Sequence, residues 1–270
     1  MSININALLL AAGLGTRLRP FTNDLPKCLM PIKGRPILDY WLEICHLLSV
    51  NKAIVNLHYL APLVLSYLSR RSFENWVVPS FEKNLLGTAG AIRKNKSFLM
   101  ESTTLLIHAD NWCQCNFKNF LDFHLYEKPK SCLITMMTFE SLNPKDCGIV
   151  VTNSKGIVTK FYEKQDNYNG NIANGAVYLI EPEVIDWIVK NPQITDFSTQ
   201  VIPNYINKIA IWHNTHIHRD IGTIESLRAA QDDSFEEMMK SNTFTVDDEW
   251  TKLFKNHPIH NQINNKRKIF

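Results

Sequence analysis

The chain has 270 residues, 45% of them hydrophobic and 20% charged, with a formal net charge of +3. That length and apolar share can build a sizeable core, and α/β chains of this size often fold as one domain. The near-balanced charge excludes a dedicated nucleic-acid binder, whose domain would be strongly basic.

The six cysteines, Cys28, Cys45, Cys113, Cys115, Cys132 and Cys147, are scattered, and none forms a CxxC pair. Cys113-x-Cys115 has the wrong spacing for zinc, so reduced thiols in a cytoplasmic protein are the expectation. The start, MSININALLL, has no basic leader, and its apolar run is too short to span a bilayer.

Along the chain, apolar runs alternate with helical patterns. NALLLAA predicts a buried strand over about residues 5–12. The run from Pro36, PILDYWLEICHLL, predicts a helix reaching about residue 49. Proline suits its first turn, and Ile37, Tyr40, Trp41, Ile44, Cys45 and Leu48 fall at helical spacing. AIVNLHY predicts a strand, LAPLVLSYLSRR a helix, WVVPSF a short strand and TAGAIRKNKSFL a helix opening at a glycine-bearing turn. TTLLIHAD predicts a strand ending in a carboxylate, FKNFLDFHLYEK a helix, and CLITMMTF a buried strand with Met136 and Met137 in the core. This alternation predicts a Rossmann-like, doubly wound α/β sheet, mixed but mostly parallel, with helices on both faces.

Beyond residue 147 the texture changes. GIVVTNSKGIVTKFYEK predicts a hairpin turning at NSKG, ANGAVYLI a strand and PEVIDWIVK a helix. IAIWHNTHIHRDIG reads as extended, and TIESLRAAQ as a helix starting near Gly222 or Thr223. Past about residue 240 the pattern weakens. WTKLF suits one helical turn, the rest reads as loosely ordered, and the basic NKRKIF as a solvated tail. Residues 1–231 are therefore read as one domain and 232–270 as a C-terminal extension.

The stretch LAAGLGTRLRPFTNDLPK, residues 10–27, concentrates chemistry. Ligands of α/β proteins bind where strands end at the carboxyl edge of the sheet. Gly13 and Gly15 allow several N–H groups to face one concave side, a nest for anions, and Arg17 and Lys27 add full charges. Such donor capacity, with no acid before Asp24, suits a polyphosphate. The Walker pattern is absent. A dinucleotide fingerprint would need Gly or Ala at Leu18 and a helix where Pro20 stands, which disfavours an NAD-dependent oxidoreductase. A purely structural turn leaves Arg17, Arg19 and Lys27 unexplained.

LAAGLGTRLRPFTNDLPKCLMPIKGRPIL resembles the G-x-G-T-R-L-x-P-x-T-x-x-x-P-K signature of sugar-1-phosphate nucleotidylyltransferases. LLGTAGAI (85–92), HADN (108–111), CGIV (147–150), FYEK (161–164), NIANGAVY (171–178) and RDIGT (219–223) follow in that family's order. The resemblance covers about residues 5–231. It implies the nucleotide-diphospho-sugar transferase fold and the reaction NTP + sugar-1-phosphate → NDP-sugar + pyrophosphate. The nucleophile is already an anion, so catalysis there is positioning and charge neutralisation.

The resemblance also implies roles. Ala11, Ala12, Gly13, Gly15 and Thr16 would wrap the nucleotide, with Lys27 on its phosphates and Arg17 on the triphosphate and transition state. Gly87 and Thr88 would face base and ribose, with Glu82 near that edge to read the base. Asp110 and Asp220 would bind Mg²⁺, since carboxylates suit a hard cation. Gly148, Asn174 and Gly175 would line the sugar pocket, the missing side chain of Gly148 leaving room for the hexose. Glu163 would hold sugar hydroxyls and Lys164 the sugar phosphate. Arg17, Lys27, Asp110, Lys164 and Asp220 form the implied catalytic set. Taken singly, Asp110 reads as a turn acid, Asp220 as a helix cap, and Glu163–Lys164 as an exposed pair. Neighbouring strand residues face opposite ways, so both reach one ligand only where the strand ends or twists.

Two positions depart from the family pattern: Ala109 replaces a common Gly and His218 a common Trp. His213, His216 and His218 read as a surface strand near the pocket, ahead of a substrate contact or a metal site. LGTAGAI resembles guanylyltransferases acting on mannose- or manno-heptose-1-phosphate, so GTP leads, and a role in glycan biosynthesis follows. UTP, CTP and dTTP stay open, as does a catalytically inactive NDP-sugar-binding subunit. The implied partners are an NTP and a sugar-1-phosphate, with no nucleic acid and no membrane. Homodimer formation is allowed, and the extension could serve it or cover the pocket.

Overall fold

The structure is a computed structural model that describes residues 4–164, 170–234 and 247–265. All of the basic tail expected at NKRKIF, 265–270, except its first residue lies outside the described residues. In chain order the strands are β1 (Ile5–Leu10), β2 (Pro31–Ile32), β3 (Arg35–Pro36), β4 (Lys52–Leu57), β5 (Val77–Phe81), β6 (Thr103–His108) and β7 (Asn111–Cys113). β8 (Ile134–Glu140), β9 (Gly148–Thr152), β10 (Val158–Glu163), β11 (Ile172–Ile180), β12 (Ile209–His213) and β13 (His218–Asp220) follow. The helices are α1 (Ile37–Leu47), α2 (Ala61–Leu68), α3 (Thr88–Lys94), α4 (Lys96–Leu99), α5 (Phe117–Asp122), α6 (Pro182–Lys190), α7 (Ile224–Asp232), α8 (Glu249–Lys255) and α9 (Ile259–Asn265).

The apolar run INALLL becomes the central strand β1 because both of its faces are covered. Ala7 and Leu9 enter one core and Leu8 the other. β1 pairs in parallel with β4 and β6, and β4 with β5, so one half of the sheet is all parallel. Leu10 lies opposite both Asn56 and His108, which brings the carboxyl ends of three strands to one edge. β11 then runs antiparallel to β6, β8 and β9, and the β9–β10 hairpin closes that side. The sheet is thus mixed, as expected. Buried residues of α1, α2, α5 and α7 cover one face, and those of α3, α4 and α6 the other.

Several expectations need correction. TAGAIRKNKSFL is two helices, because the Asn95 amide donates to Ala91 O at 2.8 Å and competes with the helix ladder. The stretch 209–222 divides: β12 joins the main sheet beside β8, while β13 pairs with β7 in a separate ribbon. His218 is half-buried rather than open on a surface strand: its ring stacks on Phe139, centroids 4.1 Å apart, while His213 and His216 are exposed. The described part of the extension, residues 247–265, carries more regular structure than its weak pattern predicts. WTKLF lies within α8, α9 follows, and Phe254, Ile259 and Ile263 are buried in the first core. No residue of 247–265 lines the main cavity, so this part of the extension does not cover it.

Candidate active site

The loop after β1 is pinned by apolar anchors. Leu18, Phe21, Leu25, Cys28 and Leu29 are buried, and between them Arg17 projects with its side chain 67% exposed. Gly15 sits at φ 61°, a region that favours glycine. A Cβ there would lie 2.8 Å from the Thr22 methyl, and the Thr22 hydroxyl donates to Gly15 O at 2.8 Å. The chain then returns inward at Lys27, whose side chain is only 8% exposed.

Lys27 is the centre of the site. Its Nζ lies 2.6 Å from Asp110 Oδ2 and 2.7 Å from Asp220 Oδ1, and Arg17 Nη2 lies 3.1 Å from Asp220 Oδ2. Two acids 110 positions apart meet because the β7–β13 ribbon pairs Asp220 with Asn111. The Trp41 indole N–H donates to Asn111 O at 2.9 Å and fixes the ribbon against α1. Within β13, Arg219 faces away and pairs with Asp233 at 2.9 Å. Asp220 does not cap the following helix. Thr223 does, in a reciprocal capping box with Ser226.

Electrostatics follow from this pairing. Burial pushes the Lys27 ammonium down, but Asp110 and Asp220 outweigh it and raise its pKa. Burial pushes Asp110 up, but Lys27 wins and holds it below the usual carboxylate range. Burial lowers His108, which lines the cavity between the Asp110 and Leu10 strand ends. Burial pushes the Cys28 thiol up to about 12, so the cysteine in the cavity wall is no thiolate nucleophile.

A cavity of about 310 Å³ runs along this edge. Ala11, Ala12, Gly13, Gly15, Thr16, Arg17, Lys27, Glu82, Gly87, Thr88 and Asp110, all anticipated from the sequence, line it. Glu82 has a bracing role here. Its carboxylate accepts from the Asn56 amide at 3.0 Å and from Leu86 N–H at 3.1 Å, while Asn56 Oδ1 accepts from Ala11 N–H at 2.6 Å. Asn56 therefore ties the glycine loop to the next loop. Gly87, at φ 76°, meets the 195–197 segment: a Cβ would lie 2.4 Å from Thr195 O. That carbonyl accepts from Ala89 N–H at 2.9 Å, and the Thr88 hydroxyl donates to Asp196 Oδ2 at 3.2 Å.

Apart from Asp220 on β13, the remaining anticipated residues lie on the β9–β10–β11 side, outside the cavity lining. Glu163 ends β10 opposite Gly148, and Lys164 turns to φ 48°. The left-handed turn brings Lys164 Nζ to 3.9 Å from Glu163 Oε1, so both can serve one ligand. Gly148 gives space to protein: a Cβ would lie 2.5 Å from the Phe161 ring and 2.8 Å from the Glu163 carboxylate. Asn174 donates to the Tyr178 hydroxyl at 2.6 Å, and Gly175 O accepts from His218. Asn56, Thr195, Asp196 and Tyr178 were not anticipated. Only Asn56 gave a signal, as an amide inside the apolar strand AIVNLHY.

Among the described residues no three His, Cys, Asp or Glu side chains cluster to hold a metal ion. Asp110 and Asp220 nevertheless fit Mg²⁺, which is commonly held by one or two carboxylates together with substrate phosphates. No described helix is long and apolar enough to cross a membrane.

Known proteins resemble this chain in sequence and in fold. It is 27% identical over 214 residues to mannose-1-phosphate guanyltransferase 2 of Candida glabrata, covering 77% of this chain and 58% of that protein. It is 28% identical over 217 residues to UTP–glucose-1-phosphate uridylyltransferase of Synechocystis sp., covering 75% and 55%. The chain spans about half the length of the curated relatives it matches. The crystal structure of HddC from Yersinia pseudotuberculosis superposes with a TM-score of 0.70 at 24% identity, covering 84% of this chain and 98% of that one, a likeness of fold. The nucleotidyl transferase family matches residues 6–237, which carry the glycine loop, Lys27 and both acids, and the chain belongs to that family.

Proposed function

We propose that this chain is an enzyme that transfers a nucleotidyl group from an NTP to a sugar-1-phosphate with Mg²⁺, releasing pyrophosphate. The observation that carries the reading is the Lys27 ammonium shared between Asp110 and Asp220, with Arg17 on the second acid, at the mouth of a glycine loop. Without substrate, cations and acids neutralise one another. A triphosphate entering the loop competes for Lys27 and Arg17 and frees oxygen donors on Asp110 and Asp220.

In this reading an oxygen of the sugar phosphate attacks the α-phosphorus, and the bond to the pyrophosphate oxygen breaks in line. Lys27 and Arg17 balance charge that develops on the phosphates, and Lys164 balances the attacking phosphate. Glu163 accepts hydrogen bonds from sugar hydroxyls. Mg²⁺ held by Asp110 and Asp220 would supply further charge neutralisation on the phosphate oxygens. No side chain has to remove a proton from the nucleophile, consistent with the absence of a thiolate in the cavity wall.

GTP with mannose-1-phosphate or manno-heptose-1-phosphate is the preferred pair, supported by LGTAGAI and by guanyltransferases among the relatives. UTP with glucose-1-phosphate is the alternative, supported by the uridylyltransferase relative. Pyrophosphate release with Mg²⁺, across four nucleotides and a panel of sugar-1-phosphates, tests both. One productive pair identifies the substrates. No release from any pair, with nucleotide binding retained, rejects the transfer reading in favour of an NDP-sugar-binding protein.

A further inference from the structure

β11 carries one register break, where the antiparallel side of the sheet meets the parallel half. Its register with β8 passes from Asn174↔Thr138 to Tyr178↔Met136, four residues against two. On its other edge it changes partner at the same place, from β9 at Ala173 to β6 at Val177. Ala176 takes φ 52°, and its N–H donates to Asn174 Oδ1 at 3.0 Å. This bulge divides the half of the sheet that carries Asp110 from the half that carries Gly148 and Glu163.

The Gly175 carbonyl at the bulge accepts two side-chain hydrogen bonds. His218 Nε2 donates at 2.7 Å and Asn111 Nδ2 at 3.2 Å. Both donors come from the β7–β13 ribbon, beside the acids that hold Lys27. Asn111 follows Asp110, and His218 shares a strand face with Asp220. A Cβ on Gly175 would lie 3.1 Å from Met137 O and 3.2 Å from His218 Nε2, so the close approach needs glycine. The His218 ring is fixed by its stack on Phe139. A carbonyl oxygen can only accept, so at 2.7 Å from Gly175 O the Nε2 atom carries the proton.

We propose that His218 is a positioning residue for the sugar-1-phosphate. Through Gly175 O it ties the ribbon carrying Asp110 and Asp220 to the bulge from which the sugar side of the site extends. This rests on the transfer reading above. The link sets the register between the two substrates, so its loss raises the KM for the sugar phosphate and lowers kcat, while the nucleotide loop is left intact.

Two substitutions separate the hydrogen bond from packing. His218→Phe keeps a ring for Phe139 and removes the donor. His218→Gln keeps an N–H at the same number of bonds from Cβ and removes the ring. His218→Phe is expected to raise the KM for the sugar-1-phosphate about tenfold and lower kcat, with the KM for the NTP changed less than about twofold. His218→Gln is expected within about threefold of the unmodified enzyme. A Phe variant as good as the original, a Gln variant as poor as Phe, or both KM values rising together would overturn the proposal. Amide hydrogen exchange over residues 171–178 is measured on the same three proteins without substrate. Faster exchange in His218→Phe and unchanged exchange in His218→Gln support the link. If the unmodified protein releases no pyrophosphate, the transfer reading fails, and exchange unchanged in His218→Phe then overturns the link separately.

Discussion

Lys27 shows how one side chain can organise a site. A buried ammonium is unfavourable alone, yet two carboxylates within 2.7 Å keep it charged. Lys27→Met would leave Asp220 with Arg17 as its cation and Asp110 without its lysine partner. The expected result is a loss in kcat of about 10²–10³-fold, with only partial recovery in Lys27→Arg, because the fork of an arginine does not fit a point between two acids. Steady-state pyrophosphate release checks both variants. A second residue gives a pH prediction away from the site. The His124 ring and the Lys128 ammonium beside Glu181 outweigh its partial burial and hold its carboxyl at about 2, against an ordinary value of 4.5. A depressed acid contributes stability above its unfolded pKa and loses it as pH falls through the folded value. Stability should therefore decline between about pH 4.5 and 2, and Glu181→Gln should flatten that decline by on the order of 2 kcal/mol in urea titrations at each pH. The glycines, cations and acids of the site were legible because chemistry restricts those residue types to few motifs. Asn56 and His218 were not, since each acts through a backbone group far away in sequence: Ala11 N–H for one and Gly175 O for the other.

At the scale of elements, the site depends on short segments held by backbone contacts. The N-terminus of α3 is closed by Thr195 O, which accepts from Ala89 and Gly90 at 2.9 and 3.4 Å. The approach is so tight that Gly87 has no room for a Cβ and sits at a positive φ. Gly87→Ala is therefore strained twice, by its dihedral and by a backbone oxygen that cannot step aside as a side chain would. It should cost about 1–3 kcal/mol, read as a lower unfolding midpoint, and should raise the KM for the nucleotide because Thr88 lines the cavity. An unchanged midpoint would mean that the 195–197 segment moves freely. Strongly periodic elements such as β1, α1 and α6 were legible. The β7–β13 ribbon was not, because three-residue strands have too little sequence for alternation to register, and their pairing joins positions more than 100 residues apart.

For the whole molecule, alternating strands and helices foretold the parallel half, since each crossover must place a helix on a face of the sheet. The docking of the extension was hidden, because its contacts include a buried cation more than 170 positions earlier in the chain. Arg70, on the segment after α2, has its side chain 6% exposed. Its Nε lies 2.6 Å from Asp248 Oδ2, its Nη2 donates to Thr251 Oγ1 at 3.1 Å, and its Nη1 lies 4.0 Å from Asp39 Oδ1. The rings of Tyr67, Phe73 and Trp250 surround the guanidinium at 5.4–5.6 Å. Three of these groups, Asp248, Thr251 and Trp250, belong to the extension, so α8 and the residue that caps it supply a charge, a hydroxyl and a wall. Asp248→Ala leaves Arg70 buried with weaker compensation and should cost about 2–3 kcal/mol. Arg70→Met removes the stranded charge and keeps a long apolar side chain under the rings. The double variant should therefore be more stable than the sum of the two single losses predicts, by about 1 kcal/mol or more in a urea double-mutant cycle. None of these side chains lines the cavity, so kcat at saturating substrate should stay within about twofold in all three proteins. Additive losses would mean that α8 docks through its apolar face alone, with Phe254 as the anchor and Arg70 as a bystander.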